Sequence, residues 1–341
     1  MSGFEKIGIL GGGAWGTALA LVAARPNALK PNARRLIKLW AYETGVVEEI
    51  NAQHRNSTFL PGVTLPAEIE ASHELSSLRA CDLILAVVPA QHLRSITTKL
   101  APFVAPNTLI LACSKGIEQG TQQFCCEILR ETLPDCALGV LSGPSFAIDV
   151  AQGLPTAVTL ASPDRALGER AAHALGTPTF RPYWTDDVMG AEIGGAVKNV
   201  LAIACGIVEE LGLGRSAHAA LIARGFAEMS RLATRLGARA ETVSGLSGLG
   251  DLVLTCSSTQ SRNMSFGRAL ASGQRAGDLL AATKSVVEGV QTAPALLALM
   301  RKLDVDMPIA ATIASLLKDE LTVSEAVRNL MSRPLRAEHG G

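Results

Sequence analysis

Charge of one sign is not in excess in this chain. Lys+Arg and Asp+Glu each number 31 in 341 residues, so the formal net charge is zero. Without a basic surplus there is no electrostatic footprint for nucleic acid, which is excluded as a partner. The seven cysteines form no CxxC pair and are odd in number and scattered, which predicts reduced thiols in a cytoplasmic protein rather than a disulfide framework. The six histidines have no metal-ligand spacing, and no metal site is expected. No signal peptide is expected, because Lys6 and a glycine turn interrupt the first apolar run. The longest apolar stretch, Val197 to Val208, contains Lys198 and stops at Glu209, short of the roughly 20 residues that cross a bilayer. No integral membrane association is expected. What the chain has is length and apolar content: 48% of residues are hydrophobic, and 341 residues exceed the size at which single cores stop growing, about 250–300 residues. Two domains are predicted.

Lys6 to Leu10 reads as a strand, Gly11-Gly12-Gly13-Ala14-Trp15-Gly16 as a tight turn, and Thr17 to Ala24 as a helix. This is G-x-G-x-x-G in the context that a dinucleotide site requires. Gly11 permits the turn, Gly13 lets a pyrophosphate approach the backbone, and Gly16 lets the helix pack closely; the phosphates then meet unpaired N–H groups at the helix's positive end. A polar, proline-punctuated insertion, Arg25 to Arg34, precedes a second strand, Arg35 to Trp40. Glu43, just beyond it, fits either an acceptor for a ribose 2′-OH or a solvated first-turn glutamate of the next helix. Further strands are predicted at Cys81 to Val88, Thr108 to Cys113, Ala137 to Leu141, Thr156 to Ala161 and Thr179 to Thr185, with a helix at Gln91 to Leu100. Lys115 sits at a strand's C-terminal edge, where open α/β sheets bind ligands, although a solvated loop lysine reads the same way. Ser142 to Ala147 is a run of small residues in which Ser145 and backbone donors can face a ligand or simply make a turn. The alternation ends near Asp187, which divides the chain into 1–188 and 189–341.

From Gly190 the pattern is helical. Gly194, Gly195 and Ala196 offer a smooth face for close packing, and Lys198 follows among Val197, Val200, Leu201 and Ile203. A buried lysine has its pKa lowered by desolvation, which suits proton exchange near neutrality; a snorkelling lysine is the competing reading. A second helix, Ser216 to Leu236, carries core positions at helical spacing. Asp251, between Gly250 and an apolar LVL run, needs a partner such as a lysine or a substrate hydroxyl. Ser261-Arg262-Asn263 can grip a phosphate, or form a helix start beside a surface arginine. A last helix is predicted at Ala310 to Leu317, and no order past Leu335.

Taken together, GGGAWGTALA (Gly11 to Ala20), NAQHRNSTFLPG (Asn51 to Gly62), CSKGIE (Cys113 to Glu118), LSGPSFA (Leu141 to Ala147), GAVKNVLAI (Gly195 to Ile203), GLGDLVLTC (Gly248 to Cys256), QSRN (Gln260 to Asn263) and VVEGV (Val286 to Val290) resemble the bacterial NAD(P)-dependent sn-glycerol-3-phosphate dehydrogenases. The resemblance covers nearly the whole chain. It implies an α/β Rossmann-type N-terminal domain with a largely parallel sheet, then an all-α C-terminal domain, in a homodimer. It also implies reversible reduction of dihydroxyacetone phosphate to sn-glycerol 3-phosphate with NAD or NADP as cofactor, serving glycerophospholipid synthesis. Lys198 is then the proton donor and acceptor, with Lys115 and Asp251 assisting. The substrate is surrounded by Lys115, Gly143, Ser145, Lys198, Asp251, Ser261, Arg262 and Asn263. The dinucleotide contacts Gly11, Gly13, Ala14, Trp15, Gly16, Tyr42, Lys115, Ala147, Arg262, Val286 and Glu288. The family commonly has Arg or His where Tyr42 follows Trp40-Ala41. Tyrosine cannot ion-pair with a 2′-phosphate and Glu43 would repel one, so the choice between NADH and NADPH stays open. Two other readings are a sister dehydrogenase acting on another small keto or hydroxy acid, and a non-catalytic dinucleotide sensor. The sensor would need the glycine turn without the Lys198, Asp251 and Arg262 set.

Overall fold

Short runs of branched and apolar residues, each closed by a turn or a loop, become the strands of one sheet. The computed structural model describes residues 4–25, 35–282 and 286–334. Most of the polar insertion and the last seven residues therefore lie outside the described residues, so neither expectation for them is addressed. The strands are β1 (Ile7–Leu10), β2 (Ile37–Trp40), β3 (Ile69–Ser72), β4 (Leu83–Ala86), β5 (Leu109–Ala112), β6 (Ala137–Ser142), β7 (Thr156–Ala161) and β8 (Phe180–Thr185). They lie in the order β3-β2-β1-β4-β5-β6-β7-β8. Every neighbouring pair is parallel except β6 with β7, which is antiparallel. β1, β4 and β5 are buried at every residue, as strands covered on both faces must be.

The helices that cover this sheet are α1 (Ala14–Ala24), α2 (Thr44–Gln53), α3 (Ala90–Leu100), α4 (Cys125–Thr132), α5 (Ala147–Ala151) and α6 (Arg165–Leu175). Separate apolar cores form on its two faces. Strand order reverses at β1 and β4, so the turns after them open a crevice at the carboxyl edge of the sheet.

A third core forms mainly among helices, around α7 (Val188–Glu210), with Ile117 and Phe124 from the segment between β5 and α4 joining it. The other helices are α8 (Arg215–Arg235), α9 (Ala240–Val243), α10 (Asp251–Cys256), α11 (Arg262–Ala271), α12 (Ala276–Ala282), α13 (Glu288–Leu303), α14 (Pro308–Leu317) and α15 (Val323–Met331). α7 runs well beyond the apolar stretch expected from the sequence. It is long and apolar enough to cross a bilayer, but 89% of its most apolar window is buried inside the protein. Glycines on α7 bring its neighbours in. A Cβ on Gly194 would stand 2.1 Å from the Ser247 carbonyl oxygen, in the π-type turn Leu246–Gly250 that leads into α10. The smooth face read from the sequence is therefore where that turn seats.

Candidate active site

The glycine turn comes first because its backbone decides what can lie over α1. Gly11 has φ +131°, a conformation that side chains rarely adopt, and a Cβ on Gly16 would lie 1.8 Å from the Gly11 carbonyl oxygen. Gly13, the residue before α1, faces open space: a Cβ there would meet nothing within 4 Å. No side chain caps α1, and its first turn holds no acidic residue. The Trp15 indole Nε1 is buried with no hydrogen-bond partner among the described residues. An uncapped helix start beneath an open glycine and beside an orphaned donor fits the pyrophosphate of a dinucleotide. Tyr42 is 77% exposed just past β2, and Glu43 is the exposed residue preceding α2. Ala147 begins α5 and Val286 precedes α13, both half-buried.

The second group of residues converges from both halves of the chain. Lys115 leaves the end of β5, Lys198 projects from α7, and Asp251 opens α10. Asp251 is 1% exposed and takes an ammonium group on each oxygen: Lys198 Nζ at 2.6 Å on Oδ1 and Lys115 Nζ at 2.7 Å on Oδ2. Lys198 Nζ also donates to Thr255 Oγ1 at 2.8 Å. Burial, with Lys115 adding to it and Asp251 opposing, lowers the pKa of Lys198 to about 8. Lys198 is thus no snorkelling side chain. Lys115 Nζ and the Ser145 hydroxyl both donate to the Gly143 carbonyl, at 3.1 and 3.0 Å. A Cβ on Gly195 would press on the Lys115 side chain at 3.1 Å, so this glycine is what lets the β5 lysine lie against α7.

A third set borders these two. The Asn199 amide donates to Glu288 Oε2 at 3.2 Å, and Asn199 Oδ1 accepts from Asn263 at 3.0 Å. Asn263 Oδ1 in turn accepts from the Gly289 N–H at 2.8 Å, so its side chain stitches α11 to α13 and α7. Burial raises the Glu288 pKa, against the pull of Arg262, Lys198 and Lys115. Ser261 caps α11 through its hydroxyl, which accepts from Met264 N. Arg262 is exposed beside it and makes no ion pair among the described residues. The structure therefore brings Lys115, Gly143, Ser145, Lys198 and Asp251 into one cluster, with Glu288, Asn263, Ser261 and Arg262 along its border. The turn with Trp15, and Tyr42 further out, lie toward the β1 edge.

Thr255 was not among the residues singled out in the sequence, where it sits inside an apolar LVLTC run. Its spacing carried a signal all the same: four residues after Asp251 on a helix, it faces the same way and meets the same lysine. No cluster of three or more His, Cys, Asp or Glu able to hold a metal occurs among the described residues.

Comparison with known proteins identifies the family of the chain. The family described as NAD-dependent glycerol-3-phosphate dehydrogenase N-terminus matches residues 6–168, and the corresponding C-terminus family matches residues 187–328. A glycerol-3-phosphate dehydrogenase [NAD(P)+] of Caulobacter vibrioides is 55% identical, over 98% of this chain and 99% of the relative. The crystal structure of glycerol-3-phosphate dehydrogenase from Coxiella burnetii superposes with a TM-score of 0.90 at 39% identity, covering 96% of this chain and 99% of that one. A D-mandelate dehydrogenase structure shares the fold alone, with a TM-score of 0.63 at 15% identity over 94% of this chain and 99% of the other. With both halves matched in order and the relatives aligned nearly end to end, the chain belongs to the NAD(P)-dependent glycerol-3-phosphate dehydrogenases.

Proposed function

We propose that this chain catalyses the reversible reduction of dihydroxyacetone phosphate to sn-glycerol 3-phosphate, and that Lys198 is the group that handles the proton. The observation that carries the second part is Asp251 holding both Lys198 and Lys115 in a buried cluster at the carboxyl edge of the sheet. The NAD(P) cofactor, when bound, supplies the hydride. Gly11, Gly13, Ala14, Trp15 and Gly16 would hold its pyrophosphate, and Tyr42, Ala147, Val286 and Glu288 would make further contacts with it. Lys198, protonated, gives its proton to the oxygen that becomes an alkoxide as the ketone carbon is reduced, and takes it back in the reverse direction. Asp251 and Thr255 aim the ammonium group, and Lys115 adds positive charge beside the developing one. Arg262, which makes no ion pair among the described residues, receives the substrate phosphate, with Ser261 and Asn263 fixing the start of α11 beneath it. Gly143 and Ser145 border the substrate from the sheet.

Residues 1–188 form the dinucleotide half and residues 189–341 the substrate half in this reading, in a cytoplasmic homodimer that feeds glycerophospholipid synthesis. The test is turnover of dihydroxyacetone phosphate with NADH and with NADPH, in the native chain and in Lys198→Ala. Loss of about 10²–10⁴-fold in kcat with cofactor affinity retained is expected. Near-normal turnover in the variant would remove Lys198 from this role. Equal turnover of dihydroxyacetone, which lacks the phosphate, would favour the sister-dehydrogenase reading.

A further inference from the structure

Asn56 lies in the loop after α2 and is wholly buried. Its amide donates twice: to the Gly12 carbonyl at 2.8 Å and to the Thr17 hydroxyl at 2.8 Å. The Thr17 hydroxyl points at the same Gly12 carbonyl from 3.4 Å, and Thr17 is also wholly buried. Asn56 is itself braced. Its Oδ1 accepts from Phe59 N at 3.2 Å, its carbonyl accepts from Leu60 N at 2.8 Å, and Leu65 N closes the loop on the His54 carbonyl at 2.8 Å.

We propose that Asn56 is a positioning residue for the cofactor turn, setting the direction in which the Gly13 N–H points. The peptide joining Gly12 to Gly13 is planar and trans, so its C=O and N–H point in opposite directions. Holding the carbonyl down into the protein turns the N–H away from it, and Gly13, which carries that N–H, has open space where a side chain would lie. Gly12 has no side chain of its own to hold this carbonyl, and the Thr17 hydroxyl approaches it only at 3.4 Å. The asparagine, 44 residues away, therefore supplies the shorter of the two side-chain hydrogen bonds on this carbonyl. A donor already aimed at an anion binds it without the cost of ordering. The loop after α2 thereby acts on the dinucleotide without touching it.

The inference rests on the turn being the dinucleotide site. Titration of the native protein with NADH and, separately, NADPH, followed by nicotinamide fluorescence without substrate, tests that premise first; absence of binding would remove premise and inference together. Asn56→Ala is then expected to weaken binding of the same dinucleotide about 10-fold, with kcat at saturating cofactor and KM for dihydroxyacetone phosphate within about two-fold of native, the scale of one lost hydrogen bond to a fixed peptide. Unchanged affinity, or a kcat that falls in step with it, would overturn the proposal. Should Asn56→Ala not fold, the native chain gives the second reading: on adding NADH, the Gly13 amide proton is expected to shift downfield in a 15N-resolved NMR titration. A Gly13 resonance that does not move in a protein that binds NADH would overturn the proposal equally.

Discussion

Burial first, and then one carboxylate between two ammonium groups, set how Lys198 titrates. Desolvation disfavours the charged amine, Lys115 disfavours it further, and Asp251 restores part of the loss, which leaves the group near 8. In the proposed mechanism the reducing direction uses protonated Lys198, so kcat for dihydroxyacetone phosphate is expected to fall as pH rises through about 8. The oxidising direction uses the neutral amine, so its kcat should rise over the same interval. In Asp251→Asn the opposing anion is gone, and the residual activity should inflect at lower pH; a pH–rate profile in both directions measures all three. Thr255→Val removes one of the two acceptors of the lysine, and a two- to ten-fold loss in kcat with unchanged KM is expected, the size of one hydrogen bond. Lys198 and Asp251 were legible in the sequence because a charge among apolar residues is conspicuous. Thr255 was not, because a threonine in an apolar run passes for a strand former or a core filler. Asn56 was hidden for another reason: it lies within the NAQHRNSTFLPG stretch, but its partners are 39 and 44 residues away, so its role shows only in the fold.

Among elements, α7 joins the two halves, and its fit is set by what it lacks. Gly194→Ala would place a methyl 2.1 Å from the Ser247 carbonyl, on backbone that cannot move without shifting Asp251 four residues on. Destabilisation of about 1–3 kcal/mol is expected by urea unfolding, with kcat falling as well. The same helix reaches the sheet side through Glu192, a buried carboxylate whose Oε1 accepts from Cys126 N at 2.9 Å at the start of α4. Burial pushes its pKa up to about 8 from 4.5. The folded state therefore holds this proton over an interval where the unfolded chain has released it. Its contribution to stability is complete below about pH 4.5 and is lost as pH rises through about 8, at up to about 1.4 kcal/mol per pH unit. Glu192→Gln should flatten the dependence of unfolding free energy on pH between these limits. The strands of the sheet centre could be read from sequence because burial on both faces demands continuous apolar runs. β3 could not, since IEAS buries alternate residues at an edge and offers only four residues of pattern. α13 was missed as well: its first turn carries the Glu288 motif, and Pro294 breaks the helical signal further along.

At the scale of the whole molecule, the Lys115–Asp251–Lys198 set is a contact between cores as well as the proposed catalytic group. Lys115 is fixed by the sheet, Lys198 and Asp251 by the helical half, and Asp251 is almost fully enclosed. Removing the carboxylate leaves two ammonium groups facing each other with little water to screen them, and losing one partner of a buried pair costs about 3–5 kcal/mol. Asp251→Asn is thus expected to destabilise the fold by that order. The charge account can be separated from simple loss of packing by a second substitution. Lys115→Met alone also breaks an ion pair and should destabilise. Added to Asp251→Asn, it removes a surplus cation and should restore part of the lost stability, giving a coupling energy opposite in sign to the two single effects. Unfolding free energies of the native chain, both single variants and the double variant measure it. Strict additivity would mean that the halves are held by their apolar contacts alone, and that the cluster serves only the chemistry.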